Sequence, residues 1–172
     1  MDYINSNNEI VMRVSDARLQ TLGTLDVYDC IYLAGIMDAK GKIHMRERVV
    51  NEYYDIYVTM TIYGIEDGLC DEIKKIVDGC TSRSKHSTDR DIPKKILYIK
   101  RPNILTFSRQ IMPYSRSPYL KKILELVIDL RETYPKEADS YTVKLGVPLE
   151  VVKKRKDIIQ EYLRLRNLHK IK

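Results

Sequence analysis

The sequence predicts an α+β fold: a four-stranded antiparallel sheet, helices on one of its faces, and a helical extension at the C-terminal end. Three observations predict it. Two pairs of strand-like runs alternate apolar and polar residues, and each pair is followed by a segment with helical apolar spacing. That order of elements suits a single layer of helices on an antiparallel sheet, with the other sheet face open. A chain of 172 residues, 44% hydrophobic and 31% charged with seven Gly and six Pro, holds one well-cored domain plus an appendage.

In the first helix Thr24 stands as N-cap, and Val27, Cys30, Ile31, Leu33, Ala34 and Met37 recur at three- and four-residue steps up to Gly41. The run "KIHMRERVV" then alternates. Lys42, His44, Arg46 and Arg48 fall on one face, Ile43 and Met45 on the other. After the turn "NEYYD" a second strand directs Ile56, Val58, Met60 and Ile62 inward and Asp55, Tyr57, Thr59 and Thr61 outward. "IEDGLCDEIKKIVDGC" reads as an amphipathic helix closed by Gly79, and "TSRSKHS" and "KKILYIKR" as the second strand pair. Pro102 and Pro118 each stand at a first helical position, opening "PNILTFSRQIM" and "PYLKKILELVIDLRETY". The predicted order is α-β-β-α-β-β-α-α.

Beyond Pro135 the composition shifts to a basic amphipathic helix with Val151, Val152, Ile158, Ile159, Tyr162, Leu163 and Leu165 on its apolar side. The divisions are therefore an N-terminal extension (1–24), a core domain (25–134) and a basic C-terminal extension (135–172). The run Lys153–Lys156 reads as a solvated face that adds at most a phosphate contact.

Charge narrows the partner. The net charge is +6, yet residues 1–41 hold Arg13, Arg18 and Lys40 against six carboxylates, so the positive excess lies downstream. Such asymmetry favours a polyanion. The surface that would meet it is the period-two set Lys42, His44, Arg46 and Arg48, with Asp55, Tyr57, Thr59 and Thr61 beside it and Arg83, Lys85 and Lys95 on the second pair. A two-stranded ribbon fits a DNA major groove, where one bidentate arginine–guanine contact is worth about 1–3 kcal/mol of discrimination.

Cys30, Cys70 and Cys80 are odd in number and lack CxxC spacing, so buried free thiols are expected rather than disulfides or zinc. No run of about 18 apolar residues and no leader pattern is present, so an intracellular protein is expected, in the cytoplasm, a nucleoid or an organelle.

The segment Leu33-Ala34-Gly35-Ile36-Met37-Asp38-Ala39-Lys40-Gly41, at a helix end and followed by hairpin, helix, hairpin and helices, resembles the motif of the LAGLIDADG homing endonucleases. The resemblance covers about residues 26–130. It implies a homodimer, because one motif is present and single-motif members pair their motif helices at a twofold axis. Leu33, Ala34, Gly35, Met37 and Asp38 would then form the interface. Small residues allow such close approach, although they also serve to seat a helix on its own sheet.

The resemblance further implies that the sheet lies along a long, partly palindromic duplex site, and that both strands are hydrolysed with magnesium. In the family the eighth motif residue is an acid that holds the metal. Here it is Lys40, whose ammonium cannot ligate a cation. Asp38 is the nearest substitute metal ligand, but it stands about 200° around the helix from position 40. The supporting basic group implied by the family maps to Arg116 or Lys121, each of which equally suits a phosphate contact or a helix surface. Impaired cleavage with retained DNA binding is the resulting expectation; a DNA-binding regulator or an intron-RNA maturase is the alternative.

Overall fold

The computed structural model describes residues 2–4, 10–12, 22–50, 53–78, 80–85, 94–133 and 149–170. A short antiparallel hairpin, β1 (Asp2–Ile4) and β2 (Ile10–Met12), occupies the predicted N-terminal extension. The core then runs α1 (Val27–Lys40), β3 (Gly41–Val50), β4 (Tyr53–Ile65), α2 (Asp67–Ile76), β5 (Cys80–Lys85), β6 (Lys94–Ile99), α3 (Ile104–Ile111) and α4 (Pro118–Glu132), with α5 (Leu149–Lys170) after it. The main sheet is antiparallel throughout in the order β3-β4-β6-β5, as the two strand pairs imply.

Helix α1 begins two residues later than its sequence suggests. Asp26, not Thr24, is the N-cap, its carboxylate accepting from the Asp29 amide at 2.8 Å. At the other end the chain passes from helix to strand with no loop. A Cβ on Gly41 would lie 2.5 Å from the Met37 carbonyl oxygen, so only a glycine fits that junction. Helix α2 is shorter than predicted, because Ile65 is the buried last residue of β4; Gly79 lies outside the described residues.

Pro102 sits in a 3-10 turn, Arg101–Asn103, ahead of α3 rather than at its first α-helical position. The buried Asn103 side chain explains the turn: its amide donates to the Asp78 carbonyl at 2.8 Å while its oxygen accepts from the Leu22 amide. Pro118 does open α4, with the Ser117 hydroxyl accepting from the Leu120 amide at 3.1 Å.

One face of the sheet, carrying Ile43, Met45, Ile56, Val58, Met60, Ile62, Leu97 and Ile99, is buried beneath the helices. Helix α5 joins the same core. Ile158, Ile159 and Tyr162 are buried, and the Tyr162 hydroxyl donates to the Ile43 carbonyl at 3.2 Å, fixing α5 to edge strand β3. Arg155 shares that face and is 1% exposed. Its Nε donates to the Thr133 hydroxyl at 2.8 Å and a terminal nitrogen to the Thr133 carbonyl at 3.1 Å, closing the end of α4. The basic run is therefore not one solvated face: Lys153, Lys154 and Lys156 are exposed and Arg155 points inward.

Cys30, Cys70 and Cys80 are free thiols, and burial pushes Cys80 up to about 12. Among the described residues no helix is long and apolar enough to cross a membrane.

Candidate nucleic-acid interface

The pleat of β3 sends Ile43 and Met45 into the core and Lys42, His44 and Arg46 to the open face, where all three are exposed. The register sets each beside a residue of β4: Lys42 opposite Thr61, His44 opposite Thr59, Arg46 opposite Tyr57. Tyrosine rings underlie the cations. Lys42 Nζ lies 4.7 Å from the Tyr63 ring, the Arg46 guanidinium 5.2 Å from Tyr57, and the Arg83 guanidinium 5.6 Å from Tyr98. Such stacking orients each cation at low entropic cost and leaves its donor edge free for an acceptor.

Arg101 joins this face from the turn after β6, 5.6 Å from the Tyr57 ring. Sequence reasoning missed Arg101, Tyr63 and Tyr98. The period of two marks Tyr63 and Tyr98 as same-face residues, but Arg101 lies beyond the strand and only the fold brings it in.

Two of the expected contacts are corrected. Thr61 is 2% exposed and its hydroxyl donates to the Lys42 carbonyl at 3.2 Å, so it braces the β3–β4 ladder. Lys95 lies on the helix-bearing side, because the alternation of β6 puts it on the same face as the buried Leu97 and Ile99; its ammonium pairs with Asp67 at 3.1 Å. Arg48 pairs in register with Asp55 and Lys85 with the exposed Lys94, but the side chains of Arg48, Asp55 and Lys85 lie outside the described residues.

His44 is held below its ordinary pKa, first by partial desolvation and then by the nearby Lys42 and Arg166 charges. It is a neutral ring at neutral pH beside two fixed cations.

At the end of α1, Lys40 Nζ donates to the Gly64 carbonyl at 3.1 Å. Gly64 has φ +63 at the bulge of β4, a conformation suited to glycine. Asp38 points elsewhere. One carboxylate oxygen accepts from the Ser115 hydroxyl at 2.5 Å and the other from the Arg116 amide at 2.6 Å, tying α1 to the segment before α4. The Arg116 side chain is exposed beside this junction and Lys121 is half-buried on α4.

Two crystal structures of the homing endonuclease I-CvuI superpose on this architecture. One holds that enzyme with its target in the presence of calcium, and the match has a TM-score of 0.54 at 19% identity, covering 77% of this chain and 80% of that one. The other holds it with an I-CreI target in the presence of magnesium, with the DNA not cleaved; its TM-score is 0.55 at 19% identity, over 77% and 83%. This chain has the LAGLIDADG homing endonuclease fold. The sequence matches no protein-family model and no curated relative.

Within the homing endonuclease fold, the residues at the end of α1 do not suit magnesium. Lys40 places an ammonium where the motif would place a carboxylate, and both oxygens of Asp38 already accept hydrogen bonds. Among the described residues no three His, Cys, Asp or Glu side chains cluster as ligands. Asp38 acts as a structural anchor that ties α1 to the segment before α4.

The expected interface set also changes. Leu33, Ala34 and Met37 are buried in the core of their own chain, at 0%, 0% and 1% exposure, and Asp38 is committed to Ser115 and Arg116. Gly35 and Ala39 instead lie on an exposed strip of α1 with Tyr28, Ile31 and Tyr32. A Cβ on Gly35 would meet nothing within 4 Å. Among the described residues its smallness serves no contact.

Proposed function

We propose that this protein binds double-stranded DNA sequence-specifically as a homodimer of the homing endonuclease type, with phosphodiester cleavage impaired. The observation that carries the reading is the open sheet face, where Lys42, Arg46, Arg83 and Arg101 lie against tyrosine rings with no carboxylate among the described side chains of that face. Repeated charge of one sign on one side of a ribbon repels itself in water. It is relieved by the phosphates of a duplex, and the Arg46 and Arg83 guanidinium groups would then reach guanine in the major groove.

The exposed face of α1 supports the homodimer. Tyr28, Ile31 and Tyr32 are 84%, 48% and 36% exposed in one chain, on the same strip as Gly35 and Ala39. A second copy would cover the aromatic surface and bring the two helices close at the glycine. Two open faces would then line one long, partly palindromic site.

Impaired cleavage rests on Lys40. Two ammonium groups near a twofold axis repel metal ions and attract phosphate, so the family's metal-dependent hydrolysis lacks its ligands. The test is a plasmid cleavage assay with magnesium or manganese on the unmodified protein and on Lys40→Asp. Binding without cutting by the unmodified chain and cutting by the variant is the expected pair; robust metal-dependent cutting by the unmodified chain overturns it.

Binding without cutting by both proteins favours the regulator or maturase reading, which the committed Asp38 also supports. Preference for duplex DNA over structured RNA separates those two, since A-form RNA hides its major groove. An intracellular location accompanies either reading.

A further inference from the structure

A cavity of about 410 Å³ opens where the C-terminal half of α5 meets the edge of the sheet, at the rim of the open face and sharing Lys42 and His44 with it. Its floor is fixed by two contacts. Tyr162 of α5 donates to the Ile43 carbonyl of β3, and His169, two turns further along α5, stacks on Tyr119 of α4 with ring centroids 3.9 Å apart. These contacts hold Arg166, which lies between them on α5, against the cavity together with Lys42 and His44 of β3.

Arg166 has an unmet need. Its guanidinium lies 5.8 Å from the Tyr162 ring, yet its buried Nε–H has no acceptor among the described residues. A buried donor without a partner is uncommon and calls for an acceptor supplied from outside. The one carboxylate on the wall, Asp38, does not supply it, since Ser115 and the Arg116 amide engage both its oxygens. What remains is a concave site lined by two fixed cations and two imidazoles.

We propose that Arg166, Lys42 and His44 form a phosphoryl-oxyanion site, and that on duplex DNA it takes one backbone phosphate at the edge of the sheet. The inference rests on the DNA-binding reading and adds α5 to the interface as a phosphate clamp. Planar guanidinium groups match the two oxygens of a phosphodiester, and lysine adds a point charge beside them. The contact fixes the duplex in register without reading its sequence. It also gives the C-terminal helix a role besides covering the core.

Two measurements test it. Binding of a random-sequence duplex is followed across salt concentrations for the unmodified protein, for Arg166→Gln and for Lys42→Gln, with circular dichroism confirming that each is folded. Each variant is expected to bind all duplexes more weakly and to lower the slope of log affinity against log salt by about one, as loss of one phosphate contact does. The imidazole resonances of His44 and His169 are then followed on adding inorganic phosphate; they are expected to move in the unmodified protein and not in Arg166→Gln.

An unchanged slope in both folded variants, with duplex binding intact, sinks the phosphate site and leaves the DNA reading standing. Failure of the unmodified protein to bind any duplex, with phosphate still shifting the two histidines, sinks the DNA reading and keeps an oxyanion site for a free phosphate. Neither response refutes both.

Discussion

Gly41 is the only residue between the last turn of α1 and the alternating part of β3, and it has no room for a methyl group. A Cβ there would lie 2.5 Å from the Met37 carbonyl oxygen and 2.6 Å from the Met37 terminal carbon. The methionine end can yield, but the carbonyl belongs to the helix and cannot. Gly41→Ala should therefore destabilise the protein by about 1–3 kcal/mol, the range for overpacked interiors, seen as a lower urea midpoint. His44 gives a pH-dependent prediction. Its folded pKa is depressed, so below about pH 6.5 the unfolded chain takes up more protons at this residue than the folded one. Stability should fall as pH drops from 6.5 through the folded pKa and then level off. His44→Gln should flatten that component, measured as the difference between urea midpoints at pH 7.5 and pH 5.5. An equal pH response in both proteins would remove His44 from the account.

At the scale of elements, α1 has two unlike faces. Leu33, Ala34 and Met37 enter the core, while Tyr28, Ile31, Tyr32, Gly35 and Ala39 are exposed. Because a side chain on Gly35 meets nothing within 4 Å among the described residues and glycine is the poorer helix former by about 1 kcal/mol, Gly35→Leu should keep or slightly raise the unfolding midpoint of a dilute sample and should weaken self-association in sedimentation. A variant that stays fully associated would place the second chain elsewhere. The order of strands and helices was legible in the sequence because periods of two and near 3.6 are strong along β3, β4 and α4. Which apolar residues of α1 face inward was not. Its sequence is apolar all round, so periodicity could not separate Ile31, which is 48% exposed, from Leu33, which is buried. The open-face cations Lys42, Arg46 and Arg83 were legible from alternation alone. Lys95 was misread although its own alternation with the apolar Leu97 and Ile99 marks it as inward, and Arg166 was invisible because nothing local shows where a C-terminal helix docks.

For the whole molecule, the dimensions of the sheet set the length of DNA that it can read. Strand β3 has ten residues, and at about 3.3 Å per residue it extends roughly 33 Å, close to one turn of B-DNA. Under the proposed function, one chain laid along the major groove would read about one turn, and two chains joined through α1 would read about two turns with opposite polarity. Selection from random duplexes should recover an inverted repeat of roughly 20 base pairs. Within it, Arg46→Ala should relax one pair of symmetry-related positions by about 1–3 kcal/mol each while leaving the others unchanged. Arg46 suits this role because its guanidinium is exposed and held against Tyr57, which limits the rotamers it must lose on binding. Recovery of an asymmetric site near ten base pairs would mean that a lone chain does the reading. The exposed aromatic strip of α1 would then need a different partner, and the weakened association expected of Gly35→Leu would lose its connection to DNA affinity.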